Sequence, residues 1–230
     1  MATPKIVEPA TVEPATVEPA TVEPATVEPA TVEPATVETD GRRARAERNR
    51  EAVVEAILDL LCEGDEHPTA EAIAERSGVS VRSVFRHFDD LESLHAAAVD
   101  RHSERIAAMF EPPAAQGSLA LRVEELAARR SRLFEAMTPV RRVGERLRGR
   151  SRVIDGRLEF ARRLLRSQVE ELFALELRSA RGAARRDLVD AVEAATSWST
   201  WNLLRTEQGC TVARARSVMI RTLTALLTPP

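Results

Sequence analysis

The chain has 230 residues, of which 43% are hydrophobic and 30% charged. This length suffices for one all-helical domain with a sizeable core, or for a small helical module joined to a larger one. No apolar run reaches the roughly 18 residues that a membrane span needs, and no signal-peptide pattern opens the chain. We therefore expect a soluble, cytoplasmic protein without membrane contact. The two cysteines, Cys62 and Cys210, exclude a disulfide framework, and we expect two buried thiols.

The formal net charge of −3 hides three electrically different segments. Residues 1–40 hold one lysine against eight acids, a net −7, and residues 41–105 hold ten arginines against fourteen acids, a net −4. Residues 106–230 hold twenty-two arginines against fourteen acids, a net +8. Charge therefore has to be assessed segment by segment.

Six identical VEPAT units fill the chain from Val7 to Thr36. A proline recurs every fifth residue from Pro9 to Pro34, and each one removes a backbone donor and disfavours helix at the residue before it. One valine per unit is too little apolar surface to offset the entropy of an ordered chain. Residues 1–40 are therefore predicted to be a disordered acidic tail.

After the tail, apolar residues recur with helical periodicity to the end of the chain, and no alternating strand pattern occurs. Order is predicted to begin near Arg45, with a first helix that ends at Gly64. A second helix is capped by Thr69, a third by Ser80, and a fourth of about five turns follows. The later helices are predicted over residues 119–137, a short piece from 140, 154–178, 183–205 and 212–227. The fold class is all-α with roughly nine helices.

The stretch TAEAIAERSGVSVRSVFRHF, residues 69–88, carries the spacing of a helix-turn-helix. Ala74 is small where the third helix crosses the second, and Gly78 can adopt the positive φ of a tight turn. Val84 fills the angle between the two helices. The spacing therefore predicts a DNA-binding module, with a purely structural hairpin as the alternative.

With a capped helix before it and a long helix after it, this stretch resembles the TetR family of transcriptional regulators. The resemblance covers about Arg45 to Phe110 closely, and the later helices, including TSWSTWNLLR at 196–205, are similar in order and length. It implies a helix-turn-helix DNA-binding domain over 41–90 and a helical ligand-binding and dimerisation domain over 91–230. In that family the third helix enters the DNA major groove, helices four to seven enclose a ligand, and the last two helices pair in a homodimer.

Matched to the family, Arg82 and Ser83 stand where the recognition helix faces base edges, and Arg86 and His87 stand near the DNA backbone. Arg82 is the predicted base reader, since arginine pairs bidentately with guanine O6 and N7. The capping residues Thr69 and Ser80 are expected to meet phosphates through backbone N–H groups and hydroxyls. The sequence departs from the family at two positions: Phe85 replaces a tyrosine and Leu91 a lysine, which removes two phosphate contacts.

An arginine-rich arm precedes the module, and it is predicted to lie along phosphates or to reach the minor groove. The alternative is a solvated helix start. Its candidate DNA-binding residues are Arg42, Arg43, Arg45 and Arg48.

A mostly apolar pocket with a few polar groups is the predicted ligand site. Its candidate residues are His102, Phe110, Phe134, Met137, Arg141, Trp198, Trp201 and Asn202. For the two tryptophans the alternative is a core or dimer-interface role, and for His102 a partly exposed surface position. The arginines from Arg141 to Arg157 either face an anionic ligand or form a solvated or inter-helix surface.

Nothing in the sequence indicates catalysis. The histidines His67, His87, His95 and His102 form no i,i+3 or i,i+4 pair, so no metal site is predicted. No phosphate-binding loop, serine elbow or paired carboxylates occur, and no cofactor is expected. We predict a non-enzymatic repressor that binds a palindromic double-stranded DNA operator as a homodimer and is released by a small-molecule inducer. The alternative is a helical protein-protein interaction module with weakened or lost DNA binding.

The acidic repeat directly precedes the arginine-rich arm, and its role has two interpretations. It is either a tolerated extension without a specific role, or its glutamates compete with DNA phosphate for the arginines and weaken non-specific binding.

Overall fold

A computed structural model describes residues 35–112 and 116–228, with side chains from residue 41 onwards, and this part of the chain is helical without any strand. The helices are α1 Ala35–Cys62, α2 Ala70–Ser77, α3 Val81–His87, α4 Leu91–Arg105, α5 Leu119–Arg146, α6 Arg152–Leu172, α7 Ala174–Leu177, α8 Gly182–Ala195, α9 Trp198–Asn202 and α10 Val212–Leu227. A 3-10 turn, Ala107–Phe110, follows α4, and a π-helical segment, Leu203–Glu207, follows α9. The all-α prediction is confirmed.

The first helix begins earlier than the sequence pattern predicts, at Ala35 instead of near Arg45. Pro34 is the last proline of the repeat, so every following residue keeps the backbone donor that a helix requires. The predicted disordered tail lies outside the described residues up to residue 34, and its boundary at residue 40 falls inside α1.

The predicted break near residue 138 does not occur, because α5 continues through Pro139. An interior proline costs about 3 kcal/mol. Burial on both sides of Pro139 offsets this cost, since a fully buried large apolar side chain contributes about 1.5–3 kcal/mol. Leu133 and Phe134 are buried before the proline, and Val140 and Val143 after it.

Conversely, two predicted long helices are divided. The one predicted over 154–178 is interrupted at Phe173, and the one over 183–205 stops at Ala195. At the second break the Thr196 hydroxyl donates to the Val192 carbonyl, and the Ser197 hydroxyl accepts from the backbone N–H of Thr200. Serine and threonine side chains compete with the helical backbone in this way and favour helix starts.

The helix-turn-helix forms as its spacing predicts. Thr69 and Ser80 each accept a hydrogen bond from the backbone N–H three residues later, and Gly78 ends α2 in the left-handed region with φ +71°. Ala74 and Val84 are buried in the angle between α2 and α3. These residue types therefore fix the crossing of the two helices.

Two hydrophobic clusters organise residues 41–228. One joins α1 to α4 through Ile57, Ile73, Val84 and Leu94, and it includes Val140 and Val143 of α5. The other fills the bundle of α5, α6, α8, α9 and α10. Helix α5 thus contributes to both clusters.

The expectation of two buried thiols is wrong for one of them. Cys210 is buried, whereas Cys62 is exposed at the last residue of α1. None of the described helices is long and apolar enough to cross a membrane.

Gly78→Ala tests the turn between α2 and α3. Nothing lies within 4 Å of the added Cβ, so any loss comes from the positive φ alone. We expect a loss of about 1 kcal/mol in the free energy of unfolding. The matched control is Gly156→Ala, which is equally open but lies inside α6 and should gain roughly 0.5–1 kcal/mol. Urea denaturation measures both, and equal effects of the two substitutions would contradict the strain argument.

Candidate DNA interface and ligand cleft

Helix α3 presents one exposed face that is cationic and aromatic. Arg82, Phe85 and Arg86 are exposed and lie three and four residues apart, so they share this face, while Val84 is fully buried on the other side. No acidic residue occurs between Val81 and His87. The acidic balance of residues 41–105 therefore does not extend to this surface.

Hydrogen bonds at the start of α3 hold its polar side chains. The Ser80 hydroxyl donates to the Ser83 hydroxyl at 3.1 Å, and Arg86 donates to the same Ser83 oxygen at 3.3 Å. None of the described side chains pairs with Arg82, which leaves its guanidinium open to a ligand. His87 is half-buried, its Nε2 has no hydrogen-bond partner, and burial lowers its pKa.

Acidic residues of this module are engaged in ion pairs away from α3. Glu55 of α1 pairs with Arg101 and Arg105 of α4. Glu63 forms a two-bond pair with Arg76 of α2, at 2.8 and 2.7 Å. These contacts neutralise part of the negative charge and leave the arginines of α3 uncompensated.

The predicted arm is helical, because α1 already includes it. Arg42, Arg43, Arg45 and Arg48 are all exposed. Arg50, seven residues after Arg43, places its guanidinium 5.0 Å from the Phe88 ring at the end of α3. Residues seven apart share a helix face, so Arg43 lies on the side of α1 that faces the end of α3.

Four of the predicted ligand residues line a small cavity between α4, α5 and α6. His102, Phe110, Met137 and Arg141 surround it together with apolar residues that include Val140 and Leu158, and its volume is about 60 Å³. His102 is buried, and its ring N–H donates to the Ala136 carbonyl at 3.0 Å. Its surface alternative therefore does not describe this structure. We call this space the interior cavity.

A larger opening, the basic cleft, lies between α5, α6, α8 and α9, with a volume of about 430 Å³. Met137 and Arg141 line it as well, and Trp198 forms one wall. Arg148, one of the arginines considered for an anionic ligand, lines it too. The remaining charged lining residues, which the sequence did not indicate, are Arg162, Arg166, Asp190 and Glu193. These four residues lie on two helices, α6 and α8, so they form no linear motif.

The other three predicted ligand residues do not line either space. Phe134 and Trp201 are buried in the bundle core with ring centroids 6.2 Å apart, and the Trp201 indole donates to Glu135. Asn202 accepts a hydrogen bond from Thr206. The structure therefore places Phe134 and Trp201 in the core, which is the alternative role considered for Trp201.

Arg141 is the most confined arginine of the cleft. Its side chain is only 12% exposed and lies over the Trp198 ring at 5.5 Å. It pairs with Glu145 at 2.8 Å, and the same carboxylate accepts two hydrogen bonds from Arg148. Burial lowers the pKa of Arg141, and the pairing with Glu145 offsets this in part.

A network of ion pairs, the Glu66 link, connects the loop before α2 to the end of α5. Glu66 pairs with Arg142 at 3.1 Å and with Arg146 at 2.9 Å. Arg142 also donates to the Thr206 hydroxyl in the π-helical segment. Each of these contacts joins residues that are sixty or more positions apart in sequence, so no local signal could have found the network.

No group of three or more His, Cys, Asp and Glu in the described residues could hold a metal ion.

The comparisons with known proteins identify the fold. A TetR-family transcriptional regulator from Streptomyces coelicolor is 21% identical, with a TM-score of 0.62 over 78% of this chain and 80% of that one. The fold of this chain is thus the fold of that regulator, as the sequence resemblance predicts. No family model and no curated protein matches the sequence.

Two further solved structures are less similar. A candidate transcriptional regulator from Streptomyces coelicolor A3(2) is 22% identical, with a TM-score of 0.49 over 79% of this chain and 99% of that one. A candidate TetR-family regulator from Mesorhizobium loti MAFF303099 is 16% identical, with a TM-score of 0.43 over 80% and 96%.

Glu66→Gln tests whether the Glu66 link holds α2 in place. The substitution keeps the size of the side chain but removes the charge that pairs with Arg142 and Arg146, so we expect faster amide hydrogen exchange over residues 66–78 by several-fold. The control is Glu124→Gln, since Glu124 is exposed on α5, lies outside the first turn of its helix and forms no ion pair with a described side chain. Equal exchange in both variants would mean that the apolar cluster alone positions α2.

Proposed function

We propose that this protein is a DNA-binding transcriptional regulator that responds to a small molecule. The observation that carries the proposal is a helix-turn-helix whose second helix exposes Arg82 and Arg86 with no acid between Val81 and His87. Exposed arginines on a helix that fits the major groove supply both phosphate contacts and bidentate contacts to guanine. The fold shared with a TetR-family regulator supports the same function.

We further propose that the protein acts as a homodimeric repressor on a palindromic operator. Two copies of α3 related by a two-fold axis would reach successive major grooves, about one helical turn apart. The segment from α8 to α10 is the expected dimer interface, and Val212 and Leu203 are exposed apolar residues on it. Ligand binding at the cleft would release DNA by favouring a conformation in which the two α3 helices no longer match the operator.

The Glu66 link supports a route from ligand to DNA. Arg142 and Arg146 follow Arg141 on α5, and Arg141 lines both ligand spaces. A shift of this part of α5 would move Glu66, and Glu66 lies three residues before the cap of α2. Coupling between the two sites then requires only a small displacement of one helix.

Arg82→Ala tests the assignment of α3 as the DNA-reading helix. We expect a loss of about 1–3 kcal/mol in operator binding, with relaxed preference at one base pair. Arg163→Ala is the control because it removes the same charge from an exposed position on α6. Fluorescence anisotropy on duplexes that tile the DNA beside the gene, at several salt concentrations, measures both. Tight binding that Arg82→Ala leaves unchanged would contradict the role of Arg82, and the absence of tight binding to any duplex would favour the protein-interaction alternative.

Phe85→Ala tests whether Phe85 contacts DNA through its ring. Phe85 lacks the hydroxyl of the tyrosine that TetR-family members usually have there, but its ring can still make an apolar contact. The Phe85 ring is 47% exposed beside Arg82 and Arg86, and an apolar side chain in the major groove can contact the thymine methyl. We expect replacement of one operator thymine by uracil to weaken wild-type binding several-fold and to have no effect on Phe85→Ala. Uracil scanning at every thymine of the operator checks this, and full tolerance by the wild type would contradict it.

A further inference from the structure

Three spaces in the ligand-binding region adjoin one another through shared residues. An open groove between α4, the 3-10 turn and α6, the apolar groove, has a volume of about 700 Å³ and includes Val153, Phe160 and Leu164 in its lining. It shares Phe110 and Ala161 with the interior cavity. The interior cavity in turn shares Met137 and Arg141 with the basic cleft. The three spaces therefore lie next to one another in series, with the smallest of them in the middle, and we call this series the path.

The two ends of this path differ in chemistry. In the apolar groove, Phe160 is 64% exposed and Val153 is 51% exposed. Its charged lining residues are Asp100 and Arg157, which pair with each other, and Arg152, which is exposed. The basic cleft has four arginines against two acids in its lining. One end therefore favours hydrocarbon and the other favours negative charge.

The uncompensated positive charge lies at the corner of the cleft next to the interior cavity. Arg162 and Arg166 are well matched, since Glu193 pairs with both, Glu159 pairs with Arg162, and Asp190 pairs with Arg166. Arg141 and Arg148, in contrast, share the single carboxylate of Glu145. Arg141 is largely buried and shares its only paired carboxylate with Arg148, so binding of a second anion there is favourable.

We propose that the path binds an elongated amphipathic anion, an unbranched hydrocarbon chain that ends in a carboxylate. The carboxylate binds Arg141 beside Trp198, and the chain runs through the interior cavity toward Phe160. The narrow interior cavity between two wider spaces favours an unbranched chain over a bulky ring system. The role of this ligand as an inducer rests on the proposed function. Its binding to the isolated protein does not.

Placement at Arg141 also puts the ligand at the residue next to the Glu66 link. A carboxylate that competes with Glu145 for Arg141 would change the position of the α5 segment that holds Glu66. The same ligand contact would therefore provide both recognition and the displacement that the proposed regulation requires.

The test is isothermal titration calorimetry of the full chain, without DNA, with three probes, decanoate being kept below its micelle concentration and decanol below its solubility limit. Decanoate has the chain and the charge, decanol has the chain without the charge, and butyrate has the charge with a short chain. We expect decanoate to bind at least tenfold more tightly than either of the others. Equal affinity for decanol would overturn the role of Arg141, and equal affinity for butyrate would overturn the role of the apolar path.

Variants locate the two ends of the ligand. Arg141→Met should weaken decanoate binding by about tenfold to a hundredfold and leave decanol unchanged, because it removes a charge-assisted hydrogen bond. Arg141→Lys should restore part of the affinity, and Arg163→Met on the exposed side of α6 is the charge-matched control. Phe160→Ser should weaken decanoate but not butyrate. Decanoate binding that survives Arg141→Met, or that is lost equally in Arg163→Met, would overturn the proposal.

Operator binding is measured separately on the same preparations. A failure of the ligand proposal can therefore be distinguished from a failure of the proposed function. Decanoate binding without any operator would contradict the regulator function and leave the ligand class intact. Tight operator binding with no heat of decanoate binding would contradict the ligand class and leave the regulator function intact. A thermal melt of Arg141→Met establishes that loss of binding does not come from unfolding.

Discussion

The arrangement of this protein depends on the packing of α5 through Pro139. The residues before the proline are buried in the helical bundle, and Val140 and Val143 after it are buried with α1 to α4. One helix therefore belongs to two cores, and its interior proline is held because both sides are anchored. Any displacement of the ligand-lining part of α5 must be accommodated by the cluster that supports the helix-turn-helix.

Charge is distributed in a way that the net values conceal. The acids of residues 41–105 outnumber the arginines, yet Glu55, Glu63 and Glu66 are bound to arginines outside α3. Surface ion pairs each contribute little to stability, about 0–1 kcal/mol. The arginines that they leave without a paired carboxylate include Arg82 and Arg86 of α3, and at the corner of the basic cleft Arg141 and Arg148 share the one carboxylate of Glu145. Both proposed sites are places where arginines exceed the carboxylates within reach.

The departures from the sequence predictions have physical causes, of which one is long-range and two are local. Pro139 indicates a helix end locally, but burial on both sides of it overrides that preference. The amphipathic periodicity around Ser197 predicts one continuous helix. The helix is divided there because the Thr196 and Ser197 side chains take over backbone hydrogen bonds. Cys62 lies in an apolar stretch, but it is the last residue of its helix and is exposed there.

The candidate sites divide in the same way. Arg82, Ser83, Arg86 and His87 could be placed from sequence, because a helix-turn-helix is a local motif whose small, turn and apolar residues fix the neighbouring positions. For the ligand site only His102, Phe110, Met137, Arg141 and Trp198 lie at the cavities. Phe134 and Trp201 are of the same residue types as Phe110 and Trp198 but lie in the core. No periodicity distinguishes a core aromatic residue from one that lines a pocket.

The sequence by itself determined the helical class, the helix-turn-helix and the cationic face of α3, since periodicity, capping and turn residues act within a few positions. Only the tertiary structure decided which arginines keep a free charge, how the three ligand spaces connect, and that Glu66 meets Arg142 and Arg146. These features arise from contacts between residues far apart in the chain. Their partners are chosen by packing, which no local pattern encodes.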